Sequence, residues 1–214
     1  MKIAYKLTDL EMKTYRGFQW ELGKWYETTG EGDLCSSGWF HFYSDPLVGL
    51  FLNPTHVNIE NPRLFRAEVE GKFLDNNGLK CGYSRARLIE ELTVPQISPV
   101  QRVRFAIFCV KKVYKGKKWN EWANNWLSRK DQTINAAWST KYNFYTICTP
   151  HTTNAAIAAE IAFYAARIVL SAAESVFYAA RSATSAAESA AIAFYAAKSK
   201  KIDLIRIARK AMKE

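Results

Sequence analysis

The pattern of apolar and polar positions changes kind partway along the chain. In LFRAEVEGKFLDNNGLKCGYSRARLIEEL, Phe65, Ala67 and Val69 alternate with Arg66, Glu68 and Glu70, the period of two expected of a half-buried strand. Asn77-Gly78 lies between two such runs and suits a tight hairpin turn, because both residues tolerate a positive φ. Earlier short strands are expected at KIAYKL, GFQWEL and KWYE, with Gly30 and Gly32 in a loop. After GWFHFY, Ser44-Asp45-Pro46 supplies a cap and a first-position proline. LVGLFL then follows as a short helix ending near Asn53-Pro54.

Further on the period lengthens to that of a helix. Ser98-Pro99-Val100-Gln101 reads as a capping box with proline at the first helical position. Val103, Ala106, Ile107, Val110, Val113 and Tyr114 then recur at helical spacing until Gly116. A second helix carries Trp119, Trp122 and Trp126 on one face, and a third is expected from near Asp131 to just before Thr149-Pro150. From Ala158 the tail repeats in sevens, AAEIAFY, AARIVLS, AAESVFY, AARSATS, AAESAAI, with a thin alanine stripe opposite Glu160, Arg167, Glu174, Arg181 and Glu188. The FYAA unit starts at 163, 177 and 194, so the register slips, which favours a break near Ser182–Ser185 and a repeat folded into an antiparallel hairpin. Coiling against a second copy of the chain is the alternative.

Composition sharpens the division. Every glycine lies at or before Gly116 and every proline at or before Pro150, whereas alanine rises from three in residues 1–98 to twenty-one in 151–214. Glycine and proline punctuate turns, and alanine is the strongest helix former. The expected fold class is α+β: a small β-rich N-terminal module over 1–97, then an all-helical, alanine-rich region over 98–214 with its heptad-like repeat at about 155–199. Charge follows the same line. Residues 1–98 carry 11 basic and 13 acidic side chains, residues 99–150 carry 10 and 2, and residues 151–214 carry 9 and 5. The excess in the middle is what a negatively charged partner would meet, although solvated helix faces produce the same count.

Four scattered cysteines without a Cys-x-x-Cys pair point away from a disulfide framework or structural zinc and towards reduced thiols in a cytoplasm. The N-terminal MKIAYKLTDLEMK has no apolar core of a secretory signal, and the most apolar stretch, 155–173, is interrupted by Glu160 and Arg167, so no membrane partner is expected.

The segments YRGFQWELGKWYE and LCSSGWFHFYSDP, followed by FRAEVEG and CGYSRARLIEEL, resemble the N-terminal domain of a group of uncharacterised phage and prophage proteins. In that group an RGF-x-(Y/W)-x-x-G segment precedes a C-x-x-GFHF segment. Here Trp39 is inserted between Gly38 and Phe40. FAIFCVKKVY, WNEWANNWLS and the Ala-Ala repeats are similar to the helical tails of the same proteins and of some immunity proteins. The resemblance implies a lineage and no activity.

Candidate chemistry is sparse. His41, with Asp45 and Cys35 nearby in sequence, has the residue types of a general base and a nucleophile. Its alternation with Phe40 and Phe42 fits a hydrogen-bonded structural histidine better. The order YRGF, GFHF, short helix, EVEG strand is also similar to small ADP-ribosyltransferase-like domains, which would turn Arg16, His41 and Glu68 or Glu70 towards a nucleotide. The three histidines, at 41, 56 and 151, have no metal-ligand spacing, and no Walker, GxSxG or GxGxxG motif is present, so neither metal nor cofactor is expected. The best binding candidate is KKVYKGKKWNEWANNWLSRK, with Lys111, Lys112, Lys115, Lys117, Lys118, Arg129 and Lys130 around three tryptophans. Spacing makes the tryptophans a core stripe, which leaves the lysines as the electropositive surface. Tyr83, Arg85 and Arg87 form a second patch, expected on one face of a strand and able to grip an acidic surface or phosphate.

These features favour a phage-type accessory protein that docks on an acidic host protein, ribonucleoprotein or nucleic acid, with inhibition of a defence system as one use of such docking. The alternatives are a nucleotide-directed enzyme on the N-terminal module and a protein that self-assembles as a homo-oligomer through its alanine-rich helices.

Overall fold

The computed structural model of the chain describes residues 1–113, 115–130 and 202–213. It divides into two compact units, Met1–Gln96 and Ile97–Glu214. The third helix expected from Asp131 and the alanine repeat with its break near Ser182–Ser185 lie outside the described residues.

The first unit holds a five-stranded antiparallel sheet, a separate two-stranded antiparallel ladder formed by Lys13–Thr14 and Phe18–Gln19, and one α-helix. Its strands are β1 (Lys2–Thr8), β2 (Lys13–Thr14), β3 (Phe18–Gln19), β4 (Tyr26–Glu27), β5 (Phe40–Phe42), β6 (Arg63–Asp75) and β7 (Cys81–Leu92), with α1 (Pro46–His56) between β5 and β6. The long hairpin β6–β7 is the spine. Asn77 and Gly78 hold φ of 50° and 75° at its tip, and Asn76 O accepts from Leu79 N at 2.9 Å, the pattern of a type I′ turn. β1 pairs with the outer edge of β6, whereas β4 and β5 pair with β7 at different heights. Tyr5 and Tyr43 exchange backbone hydrogen bonds of 2.8 and 2.9 Å, so the chain leaving β5 returns to β1 and closes the sheet on itself. Phe42, Phe65, Ala67, Val69, Cys81, Tyr83, Ala86 and Leu88 fill the interior together with Ala4 and Trp20.

The hairpin register breaks between Glu70 and Phe73. Gly71 sits there at φ 80°, a conformation that suits glycine, and Lys72 N donates to Ser84 Oγ at 2.9 Å. Beside this break the inward positions of β7 change parity: Cys81 and Tyr83 are in the core on one side of it, Ala86 and Leu88 on the other. Tyr83 therefore belongs to the core, and the expectation that Tyr83, Arg85 and Arg87 share one face is corrected. Simple alternation fails across a bulge.

Asp45 Oδ1 accepts from Leu47 N and caps α1, with Pro46 at the first helical position. The helix runs past its expected end, carrying Pro54 inside it as far as His56. Asn53 stabilises that last turn. Its backbone O accepts from Val57 N and Asn58 N, and its side chain bonds both Ile59 N and Ile59 O.

Among its described residues the second unit holds α2 (Pro99–Val113), α3 (Lys117–Leu127) and α4 (Leu204–Met212). The capping box forms: Ser98 N donates to Gln101 Oε1 at 2.8 Å and Gln101 N to Ser98 Oγ at 3.2 Å. α2 buries Val103, Phe105, Ala106, Ile107, Phe108, Cys109 and Val110, more than one amphipathic stripe, because α4 lies against it. Gln101 Nε2 reaches Met212 O at 3.3 Å, and Ile207, Ala208 and Ala211 are buried on α4. An Asp203 side chain that accepts from Arg206 N starts this helix, so a new element begins there rather than a continuation of the repeat. Trp119, Trp122 and Trp126 are buried along α3.

Candidate functional site

A cavity of about 420 Å³ opens in the sheet unit, lined by β1, the β2–β3 turn and the segment leading into β5. Its polar groups are Lys6, Thr14, Arg16, Cys35, Ser36, Ser37, His41 and Tyr43, and Phe18 and Phe40 form apolar wall. Lys6 is the unusual member. It is only 8% exposed, Nζ donates to His41 O at 2.7 Å, and the ammonium lies 5.2 and 4.9 Å from the ring centroids of Trp20 and Phe42. Burial pulls its pKa down to about 7, helped by the charge of Lys80 and opposed by Cys81. Arg16 holds φ 59° at the tip of the β2–β3 turn, where glycine or asparagine would be unstrained.

His41 lies on β5 opposite Gly82. Its Nε2 bonds Leu34 O, which requires Nε2 to carry the proton, and burial depresses its pKa, so the ring is neutral at physiological pH. Cys35 lines the same cavity and accepts from Lys80 Nζ at 3.3 Å. Asp45 is committed to capping α1.

Glu68 and Glu70 do not line this cavity. They face arginines across the hairpin: Glu68 Oε2 is 2.6 Å from Arg87 Nη2, and Glu70 pairs with Arg85 Nη1. Arg85 Nε is also 2.7 Å from Glu27 Oε1, and both guanidiniums stack on Trp25, at 4.1 and 4.9 Å from its ring centroid. Arg16 and His41 thus share a cavity while the glutamates of the nucleotide-directed reading are engaged elsewhere. Arg85 and Arg87 face three carboxylates, Glu27, Glu68 and Glu70, so the patch carries one net negative charge and no cationic excess.

On the helices, Lys112, Lys115, Lys117, Lys118, Arg129 and Lys130 are exposed. Lys111 is half-buried, donates to Asn124 Oδ1 and has its pKa lowered by burial. The end of α3 is a Schellman turn: Arg129 N bonds Trp126 O at 3.1 Å and Lys130 N bonds Asn125 O at 3.0 Å. Arg129 occupies its left-handed position at φ 60°.

Residues 2–99 match a family described as a domain of unknown function, DUF7666. No curated protein and no solved structure matches the chain. The DUF7666 match spans every residue lining the cavity and stops where α2 begins, so the basic helices fall outside it. Among the described residues no group of histidine, cysteine, aspartate or glutamate could hold a metal ion, and no helix is long and apolar enough to cross a membrane.

Lys6 was invisible to pattern reading. In KIAYKLT the alternation sets Ile3, Tyr5 and Leu7 as the apolar face, yet Ala4, Lys6 and Thr8 are buried as well as Leu7, and Ile3 is 48% exposed. Period-two reasoning places a lysine outside by default, and only the closing of the sheet reverses it.

Proposed function

We propose that this chain is an accessory binding protein of phage type, and that its helical unit docks on a polyanionic host partner, a nucleic acid or ribonucleoprotein. The observation that carries the reading is the charge of residues 99–130, nine basic side chains against the single acidic Glu121, with six of the cations exposed. The tryptophans among them are buried, which supports attraction through phosphate charge over base stacking. Arg129 adds support, because a cation held at a position that favours glycine points to a use other than stability.

Binding of fluorescently labelled single- and double-stranded nucleic acid, followed by anisotropy as salt is raised, tests this. Affinity should fall steeply with salt, with a log–log slope of roughly 0.9 for each phosphate neutralised on a duplex. Joint replacement of Lys112, Lys115, Lys117 and Lys118 by glutamate should abolish it. Equal binding by that variant would overturn the reading, as would no binding by the parent protein at low salt.

A further inference from the structure

We propose that the cavity of the sheet unit is a binding site for a small organic anion, whose negative group meets Lys6 and Arg16 and whose apolar body lies against Phe18 and Phe40. Three independent features converge on this ligand class. The first is charge. Among the described residues that line the cavity, two are cationic, three carry aliphatic hydroxyls (Thr14, Ser36 and Ser37) and none is a carboxylate.

The second is the state of Lys6. A buried ammonium is ordinarily compensated by a carboxylate, because desolvating an unpaired charge is expensive. Lys6 has one carbonyl and two aromatic faces as partners, and the ion pairs of the described residues do not include it. Its three protons exceed the single acceptor it reaches. The groups around it do not supply the missing charge: His41 is neutral, Lys80 is cationic, and burial raises the Cys81 thiol to about 12. An entering anion would.

The third is shape and backbone. A volume of about 420 Å³ accommodates a ligand somewhat larger than a bare inorganic ion, and Phe18 and Phe40, 5.3 Å apart by ring centroid, offer an apolar wall beside the cations. Arg16 lines the cavity with its backbone in a left-handed conformation, φ 59°, which is strained for a residue other than glycine. The lysine end and the aromatic wall together select an anionic head on a flat apolar body.

The test uses the whole chain with phenyl phosphate, benzoate and inorganic phosphate as probes and phenol as the neutral control, each titrated to millimolar concentration by thermal shift and calorimetry. Phenyl phosphate or benzoate should raise the melting temperature of the sheet unit, phenol should not, and the stronger of the two anions distinguishes a phosphate site from a carboxylate site. Binding should weaken as pH rises from 6 to 9, because the anion requires the protonated amine and Lys6 loses its proton near 7. Lys6→Met should lose at least about tenfold in affinity, the size of one charge-assisted contact. Arg16→Gln, at an exposed position, gives a second reading on a side chain whose loss leaves the core intact. No shift with either organic anion would overturn the proposal, as would a pH-independent affinity or undiminished binding by both variants.

Discussion

Replacing Lys6 by methionine separates the cost of burying a cation from the contribution of its packing. Methionine keeps most of the side chain's length and apolar contact with Trp20 and Phe42 while removing the charge. In the folded protein the amine's pKa falls from its ordinary 10.5 to about 7, so between those values the unfolded chain binds the extra proton. Stability of the parent protein must then rise with pH across that window and be lost again as pH falls towards 7, by up to about 1.4 kcal/mol per pH unit. From pH 6 to pH 9 the gain is roughly 2–3 kcal/mol for a displacement of this size. Lys6→Met lacks the group, so its advantage over the parent should shrink by that amount over the same range. Neighbouring titrations, such as those of His41, His56 and Cys81, are common to parent and variant and cancel in the difference between them. Urea unfolding of both proteins at pH 6 and pH 9, read from the methyl resonances of Leu64, Val69 and Leu88, reports the sheet unit alone. A parent–variant difference that stays constant between the two pH values would refute the reasoning, since it would mean that the amine is solvated or paired in the folded state.

Three further outcomes are expected. Gly71→Val should destabilise the sheet unit by at least about 2 kcal/mol, since the backbone there has φ 80° and a Cβ would stand 2.3 Å from Ser84 Oγ; the paired change Ser84→Gly should recover only the steric part in thermal unfolding. Ser98→Ala should lower the stability of the helical unit by about 1 kcal/mol in urea, and Ser98→Asp should retain most of it as an alternative cap. Arg129→Gly should raise the helical unit's melting temperature through relief of about 1 kcal/mol of left-handed strain, and should weaken nucleic-acid binding in the same protein. Improved binding by the glycine variant would contradict a role for that cation.

Where chemistry is local, the chain could be read directly. Asn77-Gly78, the Ser98/Gln101 box, the Asp45-Pro46 cap and the tryptophan stripe of α3 each depend on residues within a turn or two of one another, and each takes the form its spacing demands. Reading failed where distant segments decide. Tyr83 leaves the face of Arg85 and Arg87 where the β6–β7 register is irregular at Gly71, a long-range feature of the pairing. Lys6 went inside because Tyr43 bridges back to Tyr5 and places β1 within a closed sheet. The cavity itself is assembled from segments spread between Lys6 and Val57, and nothing in the spacing of Lys6, Arg16 and His41 announces that they meet. Arg85 and Arg87 looked like a binding patch because their counter-charges come from β4 and β6.

The Tyr5–Tyr43 bridge also carries a consequence for the order of folding. The β6–β7 hairpin joins residues close in sequence and can form early, whereas β1 must wait for a partner strand far downstream. Closure at Tyr5 requires both β1 docked on β6 and β5 docked on β7, so it can be completed only after the other two pairings exist. A ring that shuts last is also the first place to reopen. The amides of Tyr5 and Tyr43 should therefore exchange with solvent faster than those of the spine at Ala67 or Leu88, although all four belong to one sheet. The interior holding Lys6 would then be reached by water through partial opening of this seam, without unfolding of the hairpin beneath it.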